Sequence, residues 1–147
     1  MSEYNQIPNK LKAIIEEFQT SDAHEKMDLL LYYATQIPPL PDWLQKNKEN
    51  MQPVPECMTP VFIYGEKQNG RMVFCIDVPS ESPTVRGFAA ILWEGLQNLS
   101  PEQILAVPGD FYLEMGLDKI LTYQRLNGIS AILGYMKRFA LDAVSRE

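Results

Sequence analysis

Apolar residues recur along the chain at two different spacings. Ile7, Leu11, Ile14, Ile15 and Phe18 follow one another at steps of three and four, which puts them on one face of an amphipathic helix over 7–19. Asp22 followed by Glu25 has the form of a capping box, with Asp in the leading place. It opens a second helix over 23–36 whose Met27, Leu30, Leu31 and Ala34 share a face, and Pro38 and Pro39 stop it. Over 61–78 the pattern changes: VFIY and RMVFCIDV flank GEKQNG and read as a β-hairpin. Asn69-Gly70 suits a type I′ turn, whose central residues both need positive φ. That turn sets Ile63 opposite Ile76 and Tyr64 opposite Cys75. Pro60, which cannot donate to a ladder, suits the start of the first strand.

The helical spacing returns after Ser82-Pro83, an N-cap followed by proline at the first helical position, and runs to about Gln97. Ser100-Pro101-Glu102-Gln103 repeats the start signal for a short helix. Another short helix is expected over 110–115, ending at Gly116. The last helix, over 123–143, carries Leu126, Ile129, Leu133, Met136, Ala140 and Ala143 on one stripe. Helices, then a hairpin, then helices predict an α+β fold with a small antiparallel sheet packed against helices. A chain of 147 residues fits one domain, 1–147.

Between the second helix and the hairpin, 37–56 reads IPPLPDWLQKNKENMQPVPE, with five prolines and little periodicity. Connections this long in a small domain are usually functional or disordered, and this one leads directly into Cys57. The segment around Trp43 has the length for one helical turn. Trp43 either joins a docking surface or packs back on the domain.

A formal charge of −6 argues against a nucleic-acid partner, which calls for a basic surface. The start, MSEYNQIPNKLK, lacks a basic region followed by an apolar run, so no secretory signal is expected. The apolar stretches are interrupted well before the roughly 20 residues that span a bilayer, so no membrane span is expected either. A cytoplasmic location follows as the expectation. Thiols are kept reduced there, and a Cys57–Cys75 disulfide is not expected.

Two cysteines and a single histidine, His24, do not make a zinc or iron–sulfur pattern. Neither a P-loop nor GxGxxG is present, so no cofactor is expected. His24 reads as an exposed or capping residue in a first helical turn, and Cys75 as a small packed side chain within a strand. Cys57, in VPECMTPVF, is either an ordinary loop cysteine or a nucleophile at the rim of the sheet. Extending the hairpin register outward brings it near Ser82 and the start of the Pro83 helix. Unpaired amides and the positive helix end there would lower a thiol pKa, and Arg86, one turn in, would help. The adjacent Glu56 carboxylate acts in the opposite direction.

Several of these segments together resemble SufE-type proteins, the sulfur acceptors and activators of SufS-type cysteine desulfurases in iron–sulfur cluster assembly. The likeness runs from about Ile7 to Phe139. IPPLPDWL stands where the family has LPxL followed by a proline-rich loop, and ECMTPVF where it has GCxSxVW. SESPTVRGF, 80–88, stands for SDxxIVRGL, and LTYQRLNGI, 121–129, for LxPSRxNGL. The resemblance implies a SufE/IscU-like fold in which Cys57 takes persulfide sulfur from a SufS-type cysteine desulfurase, stimulates it, and passes the sulfur toward a downstream iron–sulfur scaffold. It implies that Arg125, with Asn127 beside it, stabilises the thiolate or holds the loop. Read without the resemblance, Arg125 is an exposed residue at a helix start, and Arg86-Gly87 is simple packing with the glycine permitting close helix contact. Pyridoxal phosphate would belong to the partner, so the chain reads as an activator and sulfur acceptor rather than a stand-alone enzyme.

The chain departs from the family pattern at several places. Glu56 replaces a glycine, and a positive φ there would strain it and send the loop along another path. Pro60 and Phe62 replace a polar residue and a tryptophan, and Tyr123-Gln124 replaces Pro-Ser. The alternative reading is a noncatalytic adaptor that binds a desulfurase without relaying sulfur. An IscU-type scaffold would need several cluster-ligating cysteines, which this chain lacks.

Overall fold

Helix α1 (Asn9–Gln19) turns Leu11, Ile14, Ile15 and Phe18 inward, the face its spacing predicts. The computed structural model describes residues 3–145. Helix α2 (Ala23–Ala34) begins at a complete capping box: the Glu25 amide donates to Asp22 Oδ1 and the Asp22 amide to Glu25 Oε1, each at 2.8 Å. Reciprocal bonds of this kind satisfy two amides that the first helical turn leaves open.

The proline-rich connection is ordered rather than bare loop. It forms one helical turn, α3 (Asp42–Gln45), and then a two-residue strand, β1 (Gln52–Pro53). Strand β2 (Phe62–Gln68) pairs antiparallel with β1, Gln52 opposite Ile63, and with β3 (Arg71–Asp77) on its other side. Proline in β1 is tolerated because the strand lies at the sheet edge. The hairpin register follows its turn: Asn69 and Gly70 take φ of 53° and 80°, and Ile63 faces Ile76 while Tyr64 faces Cys75. One face of β3 buries Met72, Phe74 and Ile76.

Helix α4 (Pro83–Leu96) runs through the middle of the core and buries Phe88, Ala89, Ala90, Ile91 and Leu92 in succession. It crosses α2 closely at Gly87, where an added Cβ would collide with the Leu30 carbonyl. Helix α5 (Pro101–Leu105) starts at the Ser100–Gln103 capping box. The helix expected over 110–115 is instead two short 3-10 turns, Phe111–Leu113 and Leu117–Lys119, joined at Gly116 with φ 74°. Helix α6 (Tyr123–Ser145) packs along β2. The result is the α+β architecture expected, with a three-stranded rather than two-stranded sheet.

The core joins α1, α2, the sheet, α4 and α6, and four phenylalanines, Phe18, Phe74, Phe88 and Phe111, are fully buried within it. Each such side chain contributes roughly 2–3 kcal/mol by leaving water. Among the described residues no helix is long and apolar enough to cross a membrane.

Candidate functional site

The chain between β1 and β2 closes on itself. The Val54 amide donates to the Val61 carbonyl at 2.9 Å, and both valines are buried, so the base of the loop is fixed. Within it the Cys57 amide donates to Val54 O at 3.1 Å, which turns the cysteine back toward the protein. Neither Glu56 nor Asn127 has a positive φ, so this loop carries its glutamate without left-handed strain.

Cys57 is half-buried and rests on Gly128 of α6. A Cβ at position 128 would lie 3.0 Å from Cys57 Sγ and 3.3 Å from its Cα, so the seat exists because that helical position carries no side chain. Two side-chain contacts hold the loop on either side. Thr59 Oγ1 and Ser82 Oγ are 2.6 Å apart, and the Tyr135 hydroxyl donates to Glu56 Oε2 at 3.3 Å. Next to Cys57, Met58 is 81% exposed.

A cavity of about 570 Å³ opens in front of the thiol, between the start of α4 and the start of α6. Cys57, Thr59, Ser82, Thr84, Arg125 and Gly128 are among the residues that line it. The structure thus brings Cys57 and Arg125 to one cavity. Arg125 Nη1 donates to Thr84 Oγ1 at 2.7 Å, which ties α6 to the first turn of α4. Ser82 occupies the N-cap position of α4 but makes no side-chain capping bond to that helix. Its hydroxyl goes to Thr59 instead.

Arg86 is not part of this arrangement. Its Nε donates to the Ala34 carbonyl at 3.0 Å and its Nη1 to the Val78 carbonyl at 2.5 Å, joining the end of α2 to the chain after β3. The expected help to the thiol therefore fails for a simple reason: two backbone carbonyls already hold the guanidinium. With Gly87 at the α2 crossing, Arg86-Gly87 acts in packing.

The expected lowering of the Cys57 pKa is also corrected. Burial pushes the thiol up from 9.0 to about 11, and the Glu56 carboxylate adds to the rise. A thiolate half withdrawn from water loses hydration, which disfavours the charged form. The thiolate fraction at neutral pH falls about a hundredfold relative to an ordinary cysteine. As seated, Cys57 is a shielded, protonated thiol.

The remaining candidates lie elsewhere. Cys75 is a free, half-buried thiol on β3, its pKa raised by burial and by Glu66. His24 is exposed and 3.4 Å from Asp28, one turn along α2. Trp43 packs edge-on against Tyr64 with ring centroids 5.4 Å apart, so it packs back on the domain, while 46% of it stays exposed. Among the described residues, no group of three or more His, Cys, Asp or Glu is placed to hold a metal ion.

Sequence reasoning missed Gly128 as the seat, and with it Thr59, Thr84 and Tyr135. The signal for Gly128 was present, since a glycine inside a strong helical pattern often marks a close approach.

A model of the SufE Fe-S metabolism associated domain matches residues 12–140. The chain belongs to the SufE family. It is 39% identical over 138 residues to an uncharacterized SufE-like protein of Mycobacterium tuberculosis, covering 93% of this chain and 95% of that one. A cysteine desulfuration protein SufE of Plasmodium vivax is 29% identical over 144 residues, which span 95% of this chain and 56% of the longer relative. Among solved structures, a hypothetical protein from Thermus thermophilus superposes with a TM-score of 0.84 at 35% identity, covering 95% of this chain and 98% of that chain. Membership connects the chain with Fe–S metabolism.

Proposed function

We propose that this SufE-family chain accepts persulfide sulfur on Cys57 from a SufS-type cysteine desulfurase and stimulates that enzyme, supplying a downstream iron–sulfur scaffold. The observation that carries the reading is the free Cys57 thiol, seated on a side-chain-free helix position at the mouth of a cavity. A relay thiol must stay quiet between transfers and become available at the donor. Burial and the side-chain contacts that pin the loop supply the first condition, and release of those few contacts over a fixed base supplies the second.

The chemistry is exchange at sulfur. Once the loop lifts Cys57 off Gly128, the main cause of its raised pKa is removed and the thiolate fraction rises. The Cys57 thiolate attacks the outer sulfur of the desulfurase persulfide, forming a new S–S bond on Cys57. The bond between that sulfur and the desulfurase cysteine breaks, and the desulfurase sulfur leaves as a thiolate that takes up a proton. Arg125, on the wall of the same cavity, offers positive charge to the anionic sulfur. Release from Thr84 would let it turn toward Cys57.

The Cys57→Ser variant separates relay from adaptor. A relay loses desulfurase stimulation, measured as alanine formed from cysteine, while a chain that only docks retains it. Retained stimulation would sink the proposal.

A further inference from the structure

Glu56 stands beside the reacting thiol, yet its carboxylate turns away to α6, where the Tyr135 hydroxyl donates to Oε2 at 3.3 Å. Tyr135 is only 9% exposed, and the Arg138 guanidinium lies 5.1 Å from its ring centroid. Tyr135 follows Gly128 by two helical turns, so both lie on one face of α6. The cysteine segment is therefore held to a single helix face at two points: Cys57 on Gly128, and Glu56 on Tyr135.

We propose that Glu56 is a positioning residue for Cys57: through Tyr135 it keeps the cysteine seated on α6, and release of that bond frees the thiol. The inference rests on the reading of Cys57 as the sulfur acceptor, and it gives the glutamate beside it a role in that site. The carboxylate acts in two separable ways. As an acceptor it ties the loop to Tyr135, and as a charge it opposes ionisation of the neighbouring thiol. The charged groups around Cys57 are Glu56 on its own segment, Glu81 from the chain before α4, and Arg125 from α6, all but Glu56 lining the shared cavity. Tyr135 and Arg138 act through Glu56.

Alkylation of Cys57 by iodoacetamide, followed by peptide-resolved mass spectrometry across pH, tests this without any desulfurase. Tyr135→Phe keeps the ring and removes the donor, so the thiol leaves its seat more often and alkylation at pH 8, where a tyrosine still holds its proton, should rise about three- to tenfold, the weight of one hydrogen bond. Glu56→Gln keeps an acceptor oxygen and removes the charge, so the midpoint should fall while the limiting rate stays within about twofold. Glu56→Ala, at an exposed position that leaves the core intact, should show both changes and carries the test if Tyr135→Phe folds poorly. A folded Tyr135→Phe protein alkylated at pH 8 at the wild-type rate, or a Glu56→Ala protein alkylated no faster than Glu56→Gln, would overturn the proposal. Because the readout is alkylation alone, a failure of sulfur uptake would count against the relay and leave the positioning result standing.

Discussion

Gly128→Ala tests the seat of the cysteine directly. The new methyl carbon would start 3.0 Å from Cys57 Sγ, 3.3 Å from Cys57 Cα and 3.6 Å from the Glu56 carbonyl. An unstrained carbon–sulfur contact is several tenths of an ångström longer, so either α6 or the loop must give. The loop is the softer side, since its tip is exposed and side-chain hydrogen bonds hold it. Alanine also favours α6 itself by about 1 kcal/mol over glycine at a helical position, which offsets the strain. Net stability should therefore change by no more than about 1 kcal/mol, a few degrees in Tm. The thiol, by contrast, is pushed toward water. Its pKa should move from about 11 down toward 9.0, and Cys57 alkylation at pH 7 should rise several-fold, with about a hundredfold as the ceiling. Peptide-resolved alkylation across pH, run beside thermal unfolding, reads both effects. A Tm lower by about ten degrees or more with an unchanged alkylation midpoint would defeat this expectation, because the helix rather than the loop would have moved.

Arg86→Met should cost about 2 kcal/mol in urea unfolding, since two carbonyls lose a charged donor, and should leave the Cys57 alkylation profile as it was. Arg125→Ala takes a charged donor from the buried Thr84 hydroxyl and should cost about 1–2 kcal/mol, and it should slow sulfur uptake by Cys57 about tenfold in a timed desulfurase reaction. The raised Cys57 pKa also has a sign for folding. The unfolded thiol ionises near 9.0 and the folded one near 11, so its contribution is fully present below pH 9 and is lost as pH rises to 11. Urea unfolding of Cys57→Ala should fall less steeply than wild type across that window.

Local chemistry was readable wherever it decides structure locally. The Asn69-Gly70 turn dictated the pairing of seven residues on each side, and the Asp22–Glu25 and Ser100–Gln103 boxes opened their helices as written. Strand β1 was not legible because two residues, one a proline, carry no period of their own; β2 defines them by pairing. The cysteine's environment was hidden for a similar reason. Proximity to the start of α4 could be extrapolated from the hairpin, but the thiol's pKa depends on its seat against Gly128, far along the chain. Arg86 was drawn to the wrong place because position on a helix does not say where a long side chain ends. Its guanidinium answers to carbonyls of α2 and of the chain after β3.

The proposed function stands or falls with Cys57 as the sulfur carrier. Its most direct test is the mass of the Cys57 peptide after incubation with a SufS-type cysteine desulfurase and cysteine, digested under conditions that preserve persulfides. A gain of about 32 Da is expected on that peptide, absent from Cys75 and abolished by a thiol reductant. An unmodified Cys57 peptide, while the desulfurase itself turns over and carries persulfide, would rule the relay out.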